Sequence, residues 1–367
     1  MRLVCSGKLF RNCLAGLAAV AISAFAQPSG DAITQQPGFV RSEFVAQEPP
    51  TATSHASTIV ETKDDLICAW MGGSRERAPD VSIWASRNSG KGWGEPVEVA
   101  NGVHDNIRTR YPCWNPVLFR PRDGPLIFFY KEGPSPENWW GMVMISEDNG
   151  ITWTRPRKLF DGFYGPVRNK PVELTDGTIL AGSSVENSGW MVQMERTKNV
   201  LREWTKTRYL NSSMEWAAIQ PTILPWDDGS LQILCRTKNG KITQCLSYDK
   251  GMTWSRMRPT ELPNPNSAID SVMMRDGVAA LVYNHSSDAE TGRSVLNVAT
   301  SKDGKKWDAA FVLENEKNAE FSYPAIIQTA DKMLHITYTW KHKGIKHVVL
   351  DPSAFRTQPI VSGVWPR

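Results

Sequence analysis

Short β-like runs of apolar residues, each broken by a tight turn, follow one another along most of the chain. The three-and-four spacing of a buried helix face is nearly absent. Six runs share one shape: SHASTIVE at 54–61, YPCWNPVLF at 111–119, VRNKPVEL at 167–174, AAIQPTIL at 217–224, SAIDSVMM at 267–274 and FSYPAIIQ at 321–328. Five are followed within a few residues by an Asp-led turn, at Asp123-Gly124, Asp176-Gly177, Asp228-Gly229, Asp276-Gly277 and Asp331-Lys332, and the first by Asp64-Asp65. Asp-Gly between two β-rich runs signals a hairpin, because its residues tolerate the positive φ that a tight turn demands. A second β-rich run comes next, such as LIFFYK, TILAGSS, LQILCR, AALVYN or MLHITYT.

A third run of each unit leads into a repeated phrase. Trp93, Trp153, Trp204, Trp254 and Trp307 close five copies of it, spaced by 60, 51, 50 and 53 residues. SEDNGITW at 146–153 and SYDKGMTW at 247–254 are sharp, whereas SRNSGKGW, TKNVLREW and SKDGKKW are worn. A period of about 50 residues marks a repeat architecture. Strand, turn, strand, third strand and phrase make a four-stranded antiparallel blade, and six of them predict an all-β, six-bladed β-propeller whose ring shields its sheet edges. The phrase itself is structural: its Asp accepts amide N–H bonds, its Gly supplies positive φ and its Trp packs the turn.

Composition refines the domain plan. Residues 1–26 read as a secretory signal, with Arg2, Lys8 and Arg11 before the apolar LAGLAAVAISAF and a cleavage site after Ala26. A secreted or periplasmic location is therefore expected, with no membrane span left after cleavage. Residues 27–50 are an N-terminal extension that wraps the outside or closes the ring, and 51–367 form the propeller. Removing the three signal charges takes the formal net charge from +4 to about +1. No basic stripe accompanies the aromatics, so no nucleic-acid partner is expected. Of Cys68, Cys113, Cys235 and Cys245, the last two are the natural candidates for a disulfide, with two buried thiols as the alternative. No Cys/His spacing suggests a zinc site, and no cofactor or metal is called for.

Candidate chemistry lies where the units differ. Aligned on the Pro of the first strand, the preceding residues are Asn115, Lys170, Gln220, Asp270, Tyr323 and, with Ser57 in place of Pro, Ala56. The position before those includes His55, Trp114 and Asn169. Second strands place Lys131, Ser184, Arg236, Asn284 and Thr339 at one equivalent position. Charges and amides on core-facing strands are costly unless paired or facing a wet cavity, which predicts a polar, cation-rich funnel or a hydrogen-bonded axis.

With these motifs the chain resembles the sialidase (neuraminidase) superfamily with its Asp-box, or BNR, repeats, over roughly residues 50–345. The resemblance implies an exo-glycosidase acting on a terminal acidic sugar of a glycan, with Tyr323 as nucleophile and Arg236 and Arg293 holding the substrate carboxylate. Glu76 is the nearest equivalent of the acid/base, and Asp80 a close second. Lys131, Asn115, Lys170 and Gln220 are further candidate substrate ligands, and Glu186 is a candidate base for Tyr323. Two signature positions are altered: His55-Ala56-Ser57 stands where the first triad Arg is expected, and Ala218 and Gln220 stand near the expected Glu.

Those residue types suit the chemistry. A neutral Tyr avoids the repulsion that a carboxylate nucleophile suffers beside an anionic sugar. Arginine forks match a planar carboxylate. His55 opens a second reading, a lyase or rhamnosidase acting on rhamnose–glucuronate linkages with His as acid/base; as a lone His it is otherwise a satisfied core residue. A non-catalytic glycan-binding propeller is the third reading. Trp139-Trp140 form either a sugar platform or blade packing, and Arg168, Asn169 and Lys170 either bind substrate or tie two blades together.

Overall fold

A computed structural model describes residues 31–104 and 109–366. Six antiparallel sheets form the ring. Blade I comprises Thr53–Glu61, Leu66–Gly73, Ser82–Asn88 and Val97–Ala100. Blade II comprises Cys113–Phe119, Leu126–Glu132, Trp140–Ser146 and Arg157–Lys158. Blade III comprises Val172–Glu173, Ile179–Val185, Met191–Asn199 and Glu203–Lys206, and blade IV Ala218–Pro225, Leu231–Thr237, Lys241–Ser247 and Arg258–Pro263. Blade V holds Asp270–Met273, Ala279–Tyr283, Val295–Ser301 and Asp308–Asn315, with the C-terminal Gln358–Pro359 as a fifth strand. Blade VI holds Phe321–Gln328, Leu334–Trp340 and Gly344–Leu350, and its outer strand is Phe39–Phe44.

That last pairing closes the ring. Phe39 lies opposite Leu350 and Phe44 opposite Lys346, so the first strand of the chain completes the last blade. The propeller thus begins at Phe39, inside the segment expected to be an extension. The expected signal segment lies outside the described residues. Among the described residues, no helix is long and apolar enough to cross a membrane.

The inter-strand turns follow the Asp-Gly pattern, with Gly124, Gly177, Gly229 and Gly277 all at positive φ. The sharp boxes work as expected. Asp148 accepts the amides of Ile151 (3.1 Å) and Thr152 (2.8 Å), and Asp249 those of Met252 (3.0 Å) and Thr253 (2.9 Å). The Thr152 and Thr253 hydroxyls first, then these amides, favour the carboxylates and depress both pKa values, Asp249 to about 2.

Apolar clusters fill the wedges between neighbouring blades. One joins Leu118, Phe128 and Met144 of blade II to Ile67 and Ile83 of blade I, and another joins Val298 and Phe311 of blade V to Ile336 and Val348 of blade VI. At the seam between blades VI and I the cluster shrinks to Val45, Cys68, Trp70 and Ile345. Polar bonds supplement it: Ser57 Oγ donates to Thr337 Oγ1 (3.0 Å) and the Ala56 amide to Thr339 Oγ1 (3.0 Å). All four described cysteines are free and buried, so of the two readings of Cys235 and Cys245 the buried thiols hold and the bridge does not. Cys235 lies opposite Thr243 and Cys245 opposite Ile233, so the two thiols are offset by two residues along their strands.

Candidate active site

The innermost strands of blades I, II, IV and VI break register at one equivalent place. The shifts fall between His55 and Thr58, Trp114 and Val117, Ile219 and Thr222, and Ser322 and Ala325. At each shift the residue before Pro (or Ser57) is left-handed: Ala56, Asn115, Gln220 and Tyr323 have φ of 53°, 44°, 56° and 52°. A residue before proline is kept out of the right-handed α region, and the bulge re-aims side chains at the rim of a sheet. Left-handed backbone at a non-glycine residue costs about 1–2 kcal/mol. Four such positions at one end of the ring mark where strain is tolerated for a purpose.

These bulges surround a cavity of about 320 Å³. Asn115, Gln220, Tyr323 and His55 border it from the inner strands, Arg236 from the second strand of blade IV, and Arg293 from blade V. Glu76 reaches it from the loop after Leu66–Gly73. Tyr323 is its centre. Arg236 donates from Nη1 to the Tyr323 hydroxyl (2.9 Å) and to Gln220 Oε1 (3.3 Å). The guanidinium carbons of Arg168, Arg236 and Arg293 lie 5.4, 5.7 and 6.0 Å from the Tyr323 ring centroid. Asn266 links the two clamp arginines, accepting from Arg236 Nε at its side chain (3.0 Å) and from Arg293 Nη2 at its carbonyl (2.9 Å).

His55 lies 4.2 Å from the Tyr323 ring, centroid to centroid. It is buried, and its Nδ1 contacts Thr339 Oγ1 at 3.0 Å. Burial, then the nearby His342, push its pKa well below the ordinary value, so the imidazole is neutral. Glu186 also borders the cavity, and burial raises its carboxyl, so it holds a proton more readily than an exposed Glu.

Two expected ligands, Lys131 and Lys170, and the alternative acid/base Asp80 stand elsewhere. Lys131 is fully buried and donates to the Pro166 carbonyl (2.8 Å), and burial lowers it to about 7. Lys170 pairs with Asp270 (2.8 Å) and donates to the Ser271 carbonyl (2.8 Å), tying blade III to blade V. Blades III and V lack the shared bulge, so equivalence along the repeat did not carry over to the direction of the side chain. Asp80 accepts from the amide (3.0 Å) and hydroxyl (2.9 Å) of Ser74, shaping the loop that carries Glu76. Trp139 borders the cavity, while Trp140 packs edge-on against Tyr111.

Sequence reasoning missed Glu320, His342, Trp190 and Arg77, which all border the cavity. Glu320 accepts from Arg293 Nη1 (2.8 Å), His342 Nε2 (3.1 Å) and Ser322 Oγ (2.9 Å), and these partners hold its carboxyl far below the usual range despite partial burial. Trp190 carries Lys238 at 4.1 Å and Arg236 at 5.1 Å from its ring centroid. The arrangement offers a phenol among cations, carboxyls and aromatic walls. It can bind an acidic, ring-shaped ligand and transfer protons to it.

A family model described as a BNR repeat-like domain matches residues 64–336. No curated protein sequence matches the chain. Among solved structures, a protein of unknown function from Dyadobacter fermentans superposes with a TM-score of 0.69 at 13% identity, covering 86% of this chain and 99% of its own. A mutant of the NanB sialidase from Streptococcus pneumoniae gives 0.69 at 11% identity, over 88% of this chain and 71% of that one. The Trypanosoma rangeli sialidase gives 0.64 at 12%, over 82% and 54%. At these identities the likeness establishes a sialidase-like six-bladed fold.

Proposed function

The chain belongs to the BNR repeat-like domain family, and from that premise we propose that it is an exported exo-glycosidase of sialidase type, removing a terminal acidic sugar from a glycan. The observation that carries this reading is the 2.9 Å bond from Arg236 to the Tyr323 hydroxyl at the centre of the cavity. A guanidinium donating to a phenol oxygen stabilises the phenolate as it forms. In the proposed reaction Glu186, the candidate base bordering the cavity, takes up the phenolic proton as the Tyr323 oxygen attacks the anomeric carbon. The bond to the leaving oxygen breaks as Glu76 gives that oxygen a proton. Water deprotonated by Glu76 then cleaves the glycosyl–tyrosine bond, and Glu186 returns its proton to the departing phenolate, which restores all three side chains. Arg236 and Arg293 orient the sugar carboxylate. Gln220, where the resemblance leads one to expect Glu, keeps its contact to Arg236 but has no proton-accepting carboxylate.

One observation favours a second reading. The neutral His55 against the Tyr323 ring suits a lyase or rhamnosidase working on rhamnose–glucuronate linkages, with His55 as the acid/base. A pair of assays separates the readings. The purified chain is given a fluorogenic sialoside, and separately rhamnosyl-glucuronate oligosaccharides followed at the ultraviolet band of an unsaturated product and by released rhamnose. Fluorescence supports the first reading; absorbance or free rhamnose supports the second. Silence in all three, with glycan binding retained, leaves a non-catalytic lectin-like propeller.

A further inference from the structure

One short segment of blade III is bonded to every other blade. The inner strand of that blade is only Val172–Glu173, and residues 164–170 before it are irregular backbone. The start of the segment is pinned from two sides. Buried Glu195 accepts from the Gly165 amide (2.7 Å) and the Tyr164 amide (3.2 Å), and Lys131 of blade II donates to the Pro166 carbonyl (2.8 Å). The next residues then reach the four remaining blades. Arg168 donates from Nη1 to the Ser57 carbonyl of blade I (3.1 Å) and from Nη2 to the Pro324 carbonyl of blade VI. Asn169 donates from Nδ2 to the Gln220 carbonyl of blade IV (2.9 Å), and Lys170 pairs with Asp270 of blade V (2.8 Å).

The carbonyls that Arg168 and Asn169 hold belong to the cavity's bulges. Ser57 follows left-handed Ala56, Pro324 follows left-handed Tyr323, and Gln220 is itself left-handed. Three of the four bulges are thus tied to one point. Arg168 is an unfavourable residue to place there. It is 1% exposed, its own φ is 76°, and among the described residues it forms no ion pair, Asp270 acting on it only from further away. A buried charge without a close counter-ion and a β-carbon in the left-handed region both work against the fold. A neutral bond suffices to join two strands, as Ser57 and Thr337 do by their hydroxyls across the seam between blades I and VI. The guanidinium adds a rigid fork, whose two terminal nitrogens bind carbonyls on two blades from a third. Lysine would bring a point charge on a flexible stem, without that fixed geometry.

We propose that Arg168 is a positioning residue for the reacting group. With Asn169 it locks the bulges of blades I, IV and VI together, and so fixes the Tyr323 hydroxyl against Arg236. Arg168 is not among the residues that border the cavity, so it acts through Tyr323, whose ring centroid lies 5.4 Å from its guanidinium carbon. The proposal rests on the reading of Tyr323 as the reacting group, and not on which glycan is cleaved.

The test compares crystal structures and turnover of the full chain and of Arg168→Met, which keeps the bulk of the side chain and removes both bonds. The six blades are expected to keep their registers, while the Arg236–Tyr323 contact opens beyond hydrogen-bond range. Turnover of the best substrate should fall about 100-fold, the effect of misplacing a reacting group by about 1 Å, with KM changed less than about threefold. Arg168→Lys, which can restore one of the two bonds, should recover about tenfold of that loss. Val298→Ala, in the wedge between blades V and VI, is the control for lost stability alone; it should melt lower with turnover unchanged. Should Arg168→Met not fold, Arg168→Lys and Asn169→Ala carry the same comparison, each removing one arm of the tie. An unmoved Tyr323 in the variant structures overturns the proposal, as does a turnover loss that Val298→Ala reproduces. A parent chain that cleaves no glycan sinks the sialidase reading, and the position of Tyr323 in the variants still decides the tie. An unmoved Tyr323 beside an active parent sinks this proposal alone.

Discussion

The Asp-box turns on the rim and the bulges at the cavity are built from the same blades, yet they differ in kind. A box is local: Asp249 takes its bonds from Ser247, Met252 and Thr253, all within four residues, and the motif recurs with little change. The cavity gathers partners far apart in the chain. Tyr323 meets Arg236, 87 residues away, and Ala56 bonds to Thr339 across the ring closure, 283 residues away. Repeated parts hold the ring, and parts that occur once do the chemistry. A change at the rim should therefore lower stability with activity kept, and a change at the cavity should do the reverse.

The largest expected effect is at Tyr323. Tyr323→Phe removes only the hydroxyl that Arg236 contacts, so the melting temperature should stay within about a degree while turnover falls about 1,000-fold, equivalent to about 4 kcal/mol of barrier. Turnover of the best substrate, beside a thermal melt, checks both halves. Full activity in this variant would remove the nucleophile from the scheme.

Next comes a residue inside the ring but away from the chemistry. Asp270 is buried, accepts from Lys170 (2.8 Å), Thr222 Oγ1 (3.0 Å) and the Ile326 amide (2.9 Å), and so joins blades III, IV, V and VI. Asp270→Ala leaves the half-buried Lys170 ammonium, the Thr222 hydroxyl and the Ile326 amide without this acceptor and should cost about 3 kcal/mol in chemical denaturation. A loss below about 1 kcal/mol would mean that water already solvates Lys170.

Ring closure should be acid-sensitive. His335 Nδ1 contacts His347 Nε2 (2.9 Å), and His347 Nδ1 contacts Glu43 (3.1 Å) on the closing strand. Burial, aided by His347, lowers His335 to about 4, and burial lowers His347 as well. The unfolded chain then binds more protons than the native one from about pH 6.5 down to about 4, so stability is fully present above that window and falls through it. Melting scans at stepped pH should show the fall, and His335→Gln should flatten it. An unchanged slope in that variant would place the acid-sensitive step elsewhere.

The fold was legible because its signals are local and repeated. Asp-Gly turns, the spacing of the boxes and the alternating strands each report backbone needs that lie within a few residues. Tyr323, Arg236 and His55 could be picked out because they occupy repeat positions where other blades carry something else, whereas Arg293 came from the family resemblance alone. Glu320 lies just before the inner strand of blade VI, and His342 in a hairpin tip; loops of varied length have no period against which to stand out. Lys131 and Lys170 misled for a related reason. The repeat gives their depth in the blade, but the side chains are satisfied by a carbonyl and by Asp270, contacts set by neighbouring blades.

The smallest predicted effect tests whether the boxes themselves are equivalent. The sharp box of blade IV gathers the Met252 and Thr253 amides on Asp249, while the worn box of blade III offers only the Leu201 amide (3.1 Å) to Asn199 Oδ1. Each exposed turn bond contributes modestly, since water competes for both partners. Asp249→Ala should lower the melting temperature by about 2 °C, and Asn199→Ala by about half that, with turnover unchanged in both. The pH adds a second contrast. Asp249 is held down to about 2, so its contribution is complete above about pH 4 and disappears as the pH falls toward 2. Asn199 does not titrate, so the gap between the two variants should close and then reverse in acid. A gap that persists at pH 2 would show that the Asp249 turn is held by its hydroxyl and tryptophan neighbours rather than by its carboxylate.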